Sequence, residues 1–170
     1  METRYVGAPV TRNEDPRLLR GQALFVDDVE LPRLLHAAFL RSPYAHARIA
    51  SIDTSKAEVL PGVKAVVTAT EMPILEERAI DFGETMGNVR ILAENALAHT
   101  KVLYRGHAVA AVAATSAHLA EEALALIDVE YEILPVVLTV DEAMKPDAPL
   151  LHETMTTRSL AERFARGTDT

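Results

Sequence analysis

Along this chain the hydrophobic positions recur with two periods, every second residue and every third or fourth, and their order predicts strands alternating with short helices. Residues 7–28 show no sustained period until 23–26 (ALFV), which predicts one short strand after an irregular arm rich in Arg, Asp, Asn and Pro. The apolar run 34–40 (LLHAAFL) and the alternating run 47–53 (ARIASID) predict two strands, with Ser42, Pro43 and Tyr44 as a turn between them. Asp53, Thr54 and Ser55 offer capping oxygens ahead of a one- to two-turn helix over 56–60, which Pro61 and Gly62 stop. A β-rich strand follows at 63–69. Residues 72–95, with Pro73, Gly83, Gly87 and mixed charges, have no legible period and predict an exposed excursion before the apolar 102–104.

The clearest unit begins at Val109. Residues 109–114 (VAAVAA) predict a buried strand, and Thr115 or Ser116 caps a helix running to Ile127, with Leu119, Ala123, Leu126 and Ile127 on one face. Residues 128–133 (DVEYEI) alternate as a strand with one wet face should, completing a βαβ-like unit over about 109–133. Its crossover is right-handed if the two strands are parallel neighbours. Residues 136–138 suggest another short strand, Thr139 or Asp141 caps a turn near 142–144, and 159–166 (SLAERFAR) predicts a last short helix with Leu160 and Phe164 as its apolar stripe. The fold class is therefore α/β, with α and β mixed: a mixed β-sheet with short flanking helices. A domain over 1–153 with an irregular arm at about 1–22, and a tail over 154–170, is the expected organisation.

Composition narrows the function more than it alters this picture. At 170 residues, 49% hydrophobic and 25% charged, the chain is of ordinary globular make-up, and a chain this long buries about two thirds of its unfolded surface. Its formal charge of −8 and the lack of a Lys/Arg cluster argue against nucleic acid. Cys is absent, which removes disulfides, thiolate metal sites, iron–sulfur ligation and cysteine nucleophiles together. No apolar run approaches the roughly 18 residues of a membrane span, and Met1 to Gly7 lacks the apolar core of a signal peptide, so the expected location is cytoplasmic.

No catalytic motif emerges. The glycines at 7, 21, 62, 83, 87, 106 and 167 build no phosphate loop, and Arg105-Gly106-His107 reads as a positive-φ turn before a strand. The histidines at 36, 46, 99, 107, 118 and 152 include no pair three or four apart, as a helical zinc site requires. His36, inside an apolar strand, reads as a buried and hydrogen-bonded imidazole. Ser42 fits turn chemistry and Ser116 capping, and no G-x-S-x-G elbow occurs. The adjacent pairs Asp27-Asp28, Glu76-Glu77 and Glu121-Glu122 diverge on helix or strand and read as solvated charge.

Four segments in order carry something sharper: GAPVTRNEDPRLLRGQALFVDD, LLHAAFLRSPYAHARIASIDTSKA, PGVKAVVTATEMP and VLYRGHAVAAVAATSAHLAEEALALIDVEYEILPVV. The most specific parts are Arg12, Gly21 and Asp28 in the arm, the run Arg41 to Ile49, and Gly106 to Ala110. Together, over about 7–153, they resemble the α/β hammerhead domain of the xanthine dehydrogenase, aldehyde oxidase and aerobic carbon monoxide dehydrogenase family, where it opens the large, molybdenum-binding subunit. The family often has an acidic or amide residue and then Pro where this chain has His107 and Ala108, a departure expected to loosen the turn.

The resemblance implies an oxidoreductase, a molybdenum hydroxylase taking its oxygen atom from water at molybdenum held by molybdopterin, with electrons passing through [2Fe–2S] clusters, commonly to FAD. In that family the pterin contacts and catalytic Glu lie beyond the hammerhead domain, so no catalytic, cofactor or metal residue is carried over. The chain is expected to be a non-catalytic structural piece of such a large subunit, its partners being the remainder of that subunit, an iron–sulfur subunit and an FAD subunit. Arg41, Ser42, Pro43, Tyr44, His46, Gly106, His107, Leu160 and Phe164, with the arm at 7–28, are candidate interface residues. A free-standing binding or assembly module for the molybdenum-binding chain is the alternative. An independent enzyme with a composite histidine and carboxylate site is a third.

Overall fold

The computed structural model describes residues 7, 9–73, 79–81 and 86–153 and divides into two units, Met1–Leu34 and Leu35–Thr170. In the first, helix α1 (Asp15–Leu19) starts with Pro near its N-terminus and an Arg12–Asp15 ion pair of 2.8 Å, and it ends at Gly21 in left-handed conformation. The strand expected at 23–26 is not there. Asp28 accepts a hydrogen bond from the Phe25 N–H at 2.9 Å, which turns Val26–Asp28 into a 3-10 helix. Asp27 and Asp28 are exposed, as solvated charge should be.

The second unit is built from β1 (His36–Arg41), β2 (Ala47–Asp53), α2 (Ser55–Glu58), β3 (Val63–Thr68), β4 (Ala79–Asp81), β5 (Met86–Asn88), α3 (Val89–Ala96), β6 (Lys101–Val102), β7 (Ala108–Ala114), α4 (Ala117–Leu124), β8 (Asp128–Ile133) and α5 (Val140–Ala143). Its strands form two three-stranded sheets, ordered β1-β7-β3 and β6-β2-β8, and the two-stranded β4-β5. This is the mixture of strands and short flanking helices expected from the sequence. The ladders between the described strands are antiparallel, however, so the sheets are not mixed. The βαβ-like order of β7, α4 and β8 is present, but β7 has both edges taken by β1 and β3 while β8 pairs with β2. The two strands lie in different sheets, and the parallel crossover rule does not apply to them.

Strand β7 explains the core. Its alternation puts Ala110 and Val112 against Ala57 of α2 and Ala123 and Ile127 beside α4, with Leu40, Val63 and Val66 packed around them. Val109 joins Ala47, Ala98 and Val102 in a second cluster. Of the predicted face, Ala123 and Ile127 are buried and Leu119 and Leu126 half-buried, and Ala120 of α4 is buried beside them. Ser116 caps this helix through Oγ, accepting the Leu119 N–H at 3.3 Å. Asp53 rather than Thr54 bonds the start of α2, accepting the Ser55 N–H at 3.0 Å.

Three other expectations change. His36 is exposed, because β1 begins at the rim of its sheet and only Ala38 and Leu40 turn inward. Residues 136–138 form no strand; the Leu138 and Thr139 N–H groups donate to Glu142 instead, in the capping box of α5. The stretch 72–95, illegible from its period, contains β4, β5 and α3, the last capped by Asn88 accepting the Arg90 N–H at 3.1 Å. Glu76, Glu77, Leu160 and Phe164 lie outside the described residues.

Gly62 is the more crowded of the two positive-φ glycines described in this unit. At φ +103° it occupies backbone space closed to L side chains, and a Cβ there would sit 2.7 Å from Leu119 Cδ1 and 3.0 Å from Thr115 Oγ1. Gly106 has φ +88° but nothing within 4 Å of its would-be Cβ. Gly106→Ala is therefore expected to cost backbone strain alone, about 1–3 kcal/mol, and Gly62→Ala more, because the Leu119 side chain must also swing aside. Thermal melts of the two variants check this; equal losses would show that Leu119 yields without cost.

Candidate functional site

Two turns clasp each other between β1 and β7. The Ser42 N–H donates to the His107 carbonyl at 2.9 Å, and the Gly106 N–H donates to the Ser42 carbonyl at 2.9 Å. Arg41 Nη1 donates to the Gly106 carbonyl at 2.9 Å, with its guanidinium 6.0 Å from the Phe39 ring centre, the outer limit of a cation–π contact. Gly106 takes the positive φ expected of it. Ser42 Oγ accepts the Tyr44 N–H at 3.0 Å and donates to the Tyr44 carbonyl at 3.1 Å, so the hydroxyl is turn chemistry and faces no imidazole as a nucleophile would.

His107 fastens the clasp. It is fully buried, its Nδ1 accepts the Leu103 N–H at 3.2 Å, its Nε2 donates to the Glu94 carbonyl of α3 at 2.8 Å, and its ring stacks on Tyr104 at 4.4 Å. These partners fix the neutral Nε2–H tautomer, and burial holds its pKa below the ordinary histidine value despite the carbonyls that favour the charged ring. The turn is not loosened by His107, because the imidazole ties three segments together.

His46 is the other buried imidazole. Its Nδ1 donates to the Pro135 carbonyl at 2.7 Å, while its buried Nε2 has no hydrogen-bond partner. Nearby, Tyr44 meets Tyr131 edge-on at 5.2 Å and 67°, and burial pushes the Tyr131 phenol pKa up. A cavity of about 190 Å³ opens here, walled by His46, Tyr104, Val136, Leu138, Pro149 and Leu151. A second, polar cavity of about 150 Å³ holds Arg48, Arg90, Lys101 and two histidines, His99 and His152. Its cations are matched: Arg48 with Glu132 at 3.3 Å, Arg90 with Glu94 at 2.9 Å and Lys101 with Glu153 at 3.1 Å. Among the described residues no three His, Asp or Glu stand close enough together to hold a metal ion.

Seven of the candidate residues thus fall in one region. Arg41, Ser42, Gly106 and His107 bond one another, Tyr44 and His46 line the adjoining turn, and Pro43 is exposed at its tip. Ser42, His46 and His107 are buried, which leaves Arg41, Pro43 and Tyr44 as the members that face outward. Sequence reasoning missed their partners Glu94, Tyr104, Tyr131 and Pro135. Only Tyr131, an inward-facing residue of an alternating strand, carried a readable signal.

A family model described as "Aldehyde oxidase and xanthine dehydrogenase, a/b hammerhead domain" matches residues 20–135. The carbon monoxide dehydrogenase large chain of Afipia carboxidovorans is 43% identical over 162 residues, covering 95% of this chain and 19% of its own length. The nicotine 6-hydroxylase large subunit of Paenarthrobacter nicotinovorans is 39% identical over 135 residues, 78% of this chain and 16% of that protein. Among solved structures, reconstituted CO dehydrogenase from Oligotropha carboxidovorans superposes with a TM-score of 0.72 at 43% identity, over 85% of this chain and 17% of that one. Aldehyde oxidoreductase from Desulfovibrio gigas superposes with a TM-score of 0.70 at 28% identity, over 84% and 16%. The chain spans under a fifth of the length of each of these.

The clasp makes a pH-dependent prediction. Because burial lowers the His107 pKa, the unfolded chain takes up the proton first as pH falls below the ordinary 6.5. The stabilisation is therefore complete above that value and is lost as pH drops toward the depressed folded value. His107→Leu leaves the Glu94 carbonyl and Leu103 N–H unpaired, at about 1–3 kcal/mol each. The variant is expected to be less stable at neutral pH and to lose this part of the acid-side slope. Denaturant titrations on either side of the histidine range check it; an unchanged slope would remove His107 as the cause.

Proposed function

Since the chain belongs to the aldehyde oxidase and xanthine dehydrogenase a/b hammerhead family, we propose that it is the N-terminal structural domain, or a split piece, of the large subunit of a cytoplasmic molybdenum hydroxylase. It works there by assembly and not by chemistry. The observation that carries this is the asymmetry of the match, 95% of this chain against 19% of the carbon monoxide dehydrogenase large chain. Four fifths of such a subunit lies outside what this chain resembles.

The donor set fits this division of labour. With no Cys the chain has no thiolate to hold an iron–sulfur cluster, and the described residues offer neither a glycine-rich phosphate loop nor a trio of metal-binding side chains. On this reading molybdopterin, [2Fe–2S] clusters and FAD are held by the rest of the assembled enzyme, the last two on separate iron–sulfur and FAD subunits. What this chain supplies is surface. Phe39, Tyr104, Leu138, Val140 and Met144 are apolar side chains open to contact, and Arg41, Pro43 and Tyr44 stand out as interface candidates.

Isolation of the complex from the native host, with polypeptide masses and molybdenum and iron content measured on the intact assembly, tests the proposal. The expected result is large-subunit sequence from outside residues 1–170, a Cys-rich polypeptide, molybdenum and iron. Recovery of the chain alone and free of metal would sink it and favour a stand-alone binding module.

A further inference from the structure

We propose that residues 149–153 form a strap held closed beside the polar cavity by their own carboxylate, Glu153, and that a small oxyanion of the phosphate class opens it by taking that carboxylate's place on Lys101 and Arg48. The groups involved lie within residues 48–153, so the site stands whether or not the assembly proposed above is right. It originates in a row of charges across one sheet. Lys101 of β6 and Glu132 of β8 are both directly opposite Arg48 of the central strand β2. Residues so paired share a face with Cβ atoms about 4.5–5.5 Å apart, where opposite charges attract and like charges repel. Arg48 therefore meets a carboxylate on one side, Glu132 at 3.3 Å, and an ammonium on the other. Lys101 has no acid in its own row, and the carboxylate it holds, Glu153 at 3.1 Å, comes from 52 residues further along the chain.

That one lysine fastens the strap. Two of the three donors of its ammonium go there, one to Glu153 Oε1 and one to the Leu150 carbonyl at 3.3 Å. Among the described residues these are the only hydrogen bonds that 149–153 make. Packing adds little, since Leu150 and Leu151 are 64% and 43% exposed. An ion pair whose carboxylate is 77% exposed is a weak tie, and the Lys101 ammonium, 16% exposed when the strap is closed, regains water when it opens. The closed and open positions are therefore close in free energy, which is what a displaceable strap requires.

The carboxylate of Glu153 marks where the anion goes. The Lys101 hydrogen bond, then the Lys101 charge and the Arg48 charge, hold its carboxyl below the usual carboxylate range against the opposing effect of desolvation, so the position feels both cations. With Glu153 withdrawn, a like-charged cross-strand pair faces a cavity of about 150 Å³ that His99 also lines. That volume is below the roughly 300–1,000 Å³ of drug-sized sites, which restricts the occupant to a small ion. Phosphate carries more charge and more acceptor oxygens than the side chain it displaces, and a guanidinium beside an ammonium suits it. Arg90, engaged by Glu94 at 2.9 Å in the same cavity, is not needed.

The test is a titration of inorganic phosphate into the full 170-residue chain at constant pH and ionic strength. The backbone amide NMR signals of Leu150, Leu151 and His152 are followed, with those of β7 as the reference. Expected is movement of the three strap signals to a second position at millimolar phosphate while the β7 signals stay in place. Glu153→Gln keeps an acceptor for Lys101 but removes the competing charge, and is expected to bring the midpoint to about threefold lower phosphate, in keeping with the modest worth of an exposed ion pair. In Lys101→Met the strap signals are expected at the second position from the start, with no response to phosphate. An equal response to chloride alone over the same concentrations would reduce the effect to screening and overturn the anion site. Phosphate shifts at Arg48 and Lys101 with unmoved strap signals, or an unchanged midpoint in Glu153→Gln, overturn the displacement of Glu153. No response to phosphate at any signal overturns the proposal whole, and because Glu153 is so exposed its variant keeps the test decisive even if Lys101→Met fails to fold.

Discussion

Everything in the larger unit is arranged around the smallness of one strand. β7 is alanine and valine throughout, and it pairs on both edges while touching all three buried clusters: Ala110 and Val112 in one, Val109 in another and Ala108 in the third. Only short side chains let α2 and α4 approach it closely enough for Ala57, Ala120 and Ala123 to be buried completely. Packing this dense leaves no slack, since added volume in a filled core displaces neighbours. Gly62 is the same constraint met from the next turn, where even a methyl group has no room against Leu119.

The clasp of the two turns extends that rigidity to the surface. His107 links the start of β7 to α3 and to the backbone at Leu103, and Ser42 links it to the distant end of β1. Ser42 Oγ and both ring nitrogens of His107 are spent on holding turns. His46 is the exception, with one nitrogen spent and one left over.

Local pattern was a good guide where the local chemistry decides the outcome. The alternation at Ala47–Asp53 and Asp128–Ile133 and the run ending at Ala114 appear as strands within a residue of their expected limits, and Ser116, Thr139 and Gly106 play the capping and turning parts their residue types suit. The family resemblance came from ordered segments in the same way. What local pattern could not supply was pairing. Nothing in residues 109–133 reveals that β7 and β8 join different sheets, because that depends on β1, β2 and β3 taking the available edges. His36 and His107 exchange their expected roles for a related reason: burial is decided by what lies across the fold, and β1 begins at a rim while the 103–107 turn is roofed by α3. The candidate site was half legible, its turn residues and Tyr131 visible and their partners Glu94, Tyr104 and Pro135 hidden.

The pairing scheme also has a consequence in time. β1 and β2 are made early, yet His36 must wait for Ala114 and Ala47 for Ile133 before either strand has its main neighbour. At roughly 5–20 residues per second of synthesis, that is a delay of several seconds, during which LLHAAFL and ARIASID leave the ribosome with unpaired edges. Domains dominated by such distant pairings also fold slowly once complete. The nascent chain is thus most exposed to chaperones, and to wrong partners, before β7 and then β8 appear, and the emergence of these two strands ends that vulnerability.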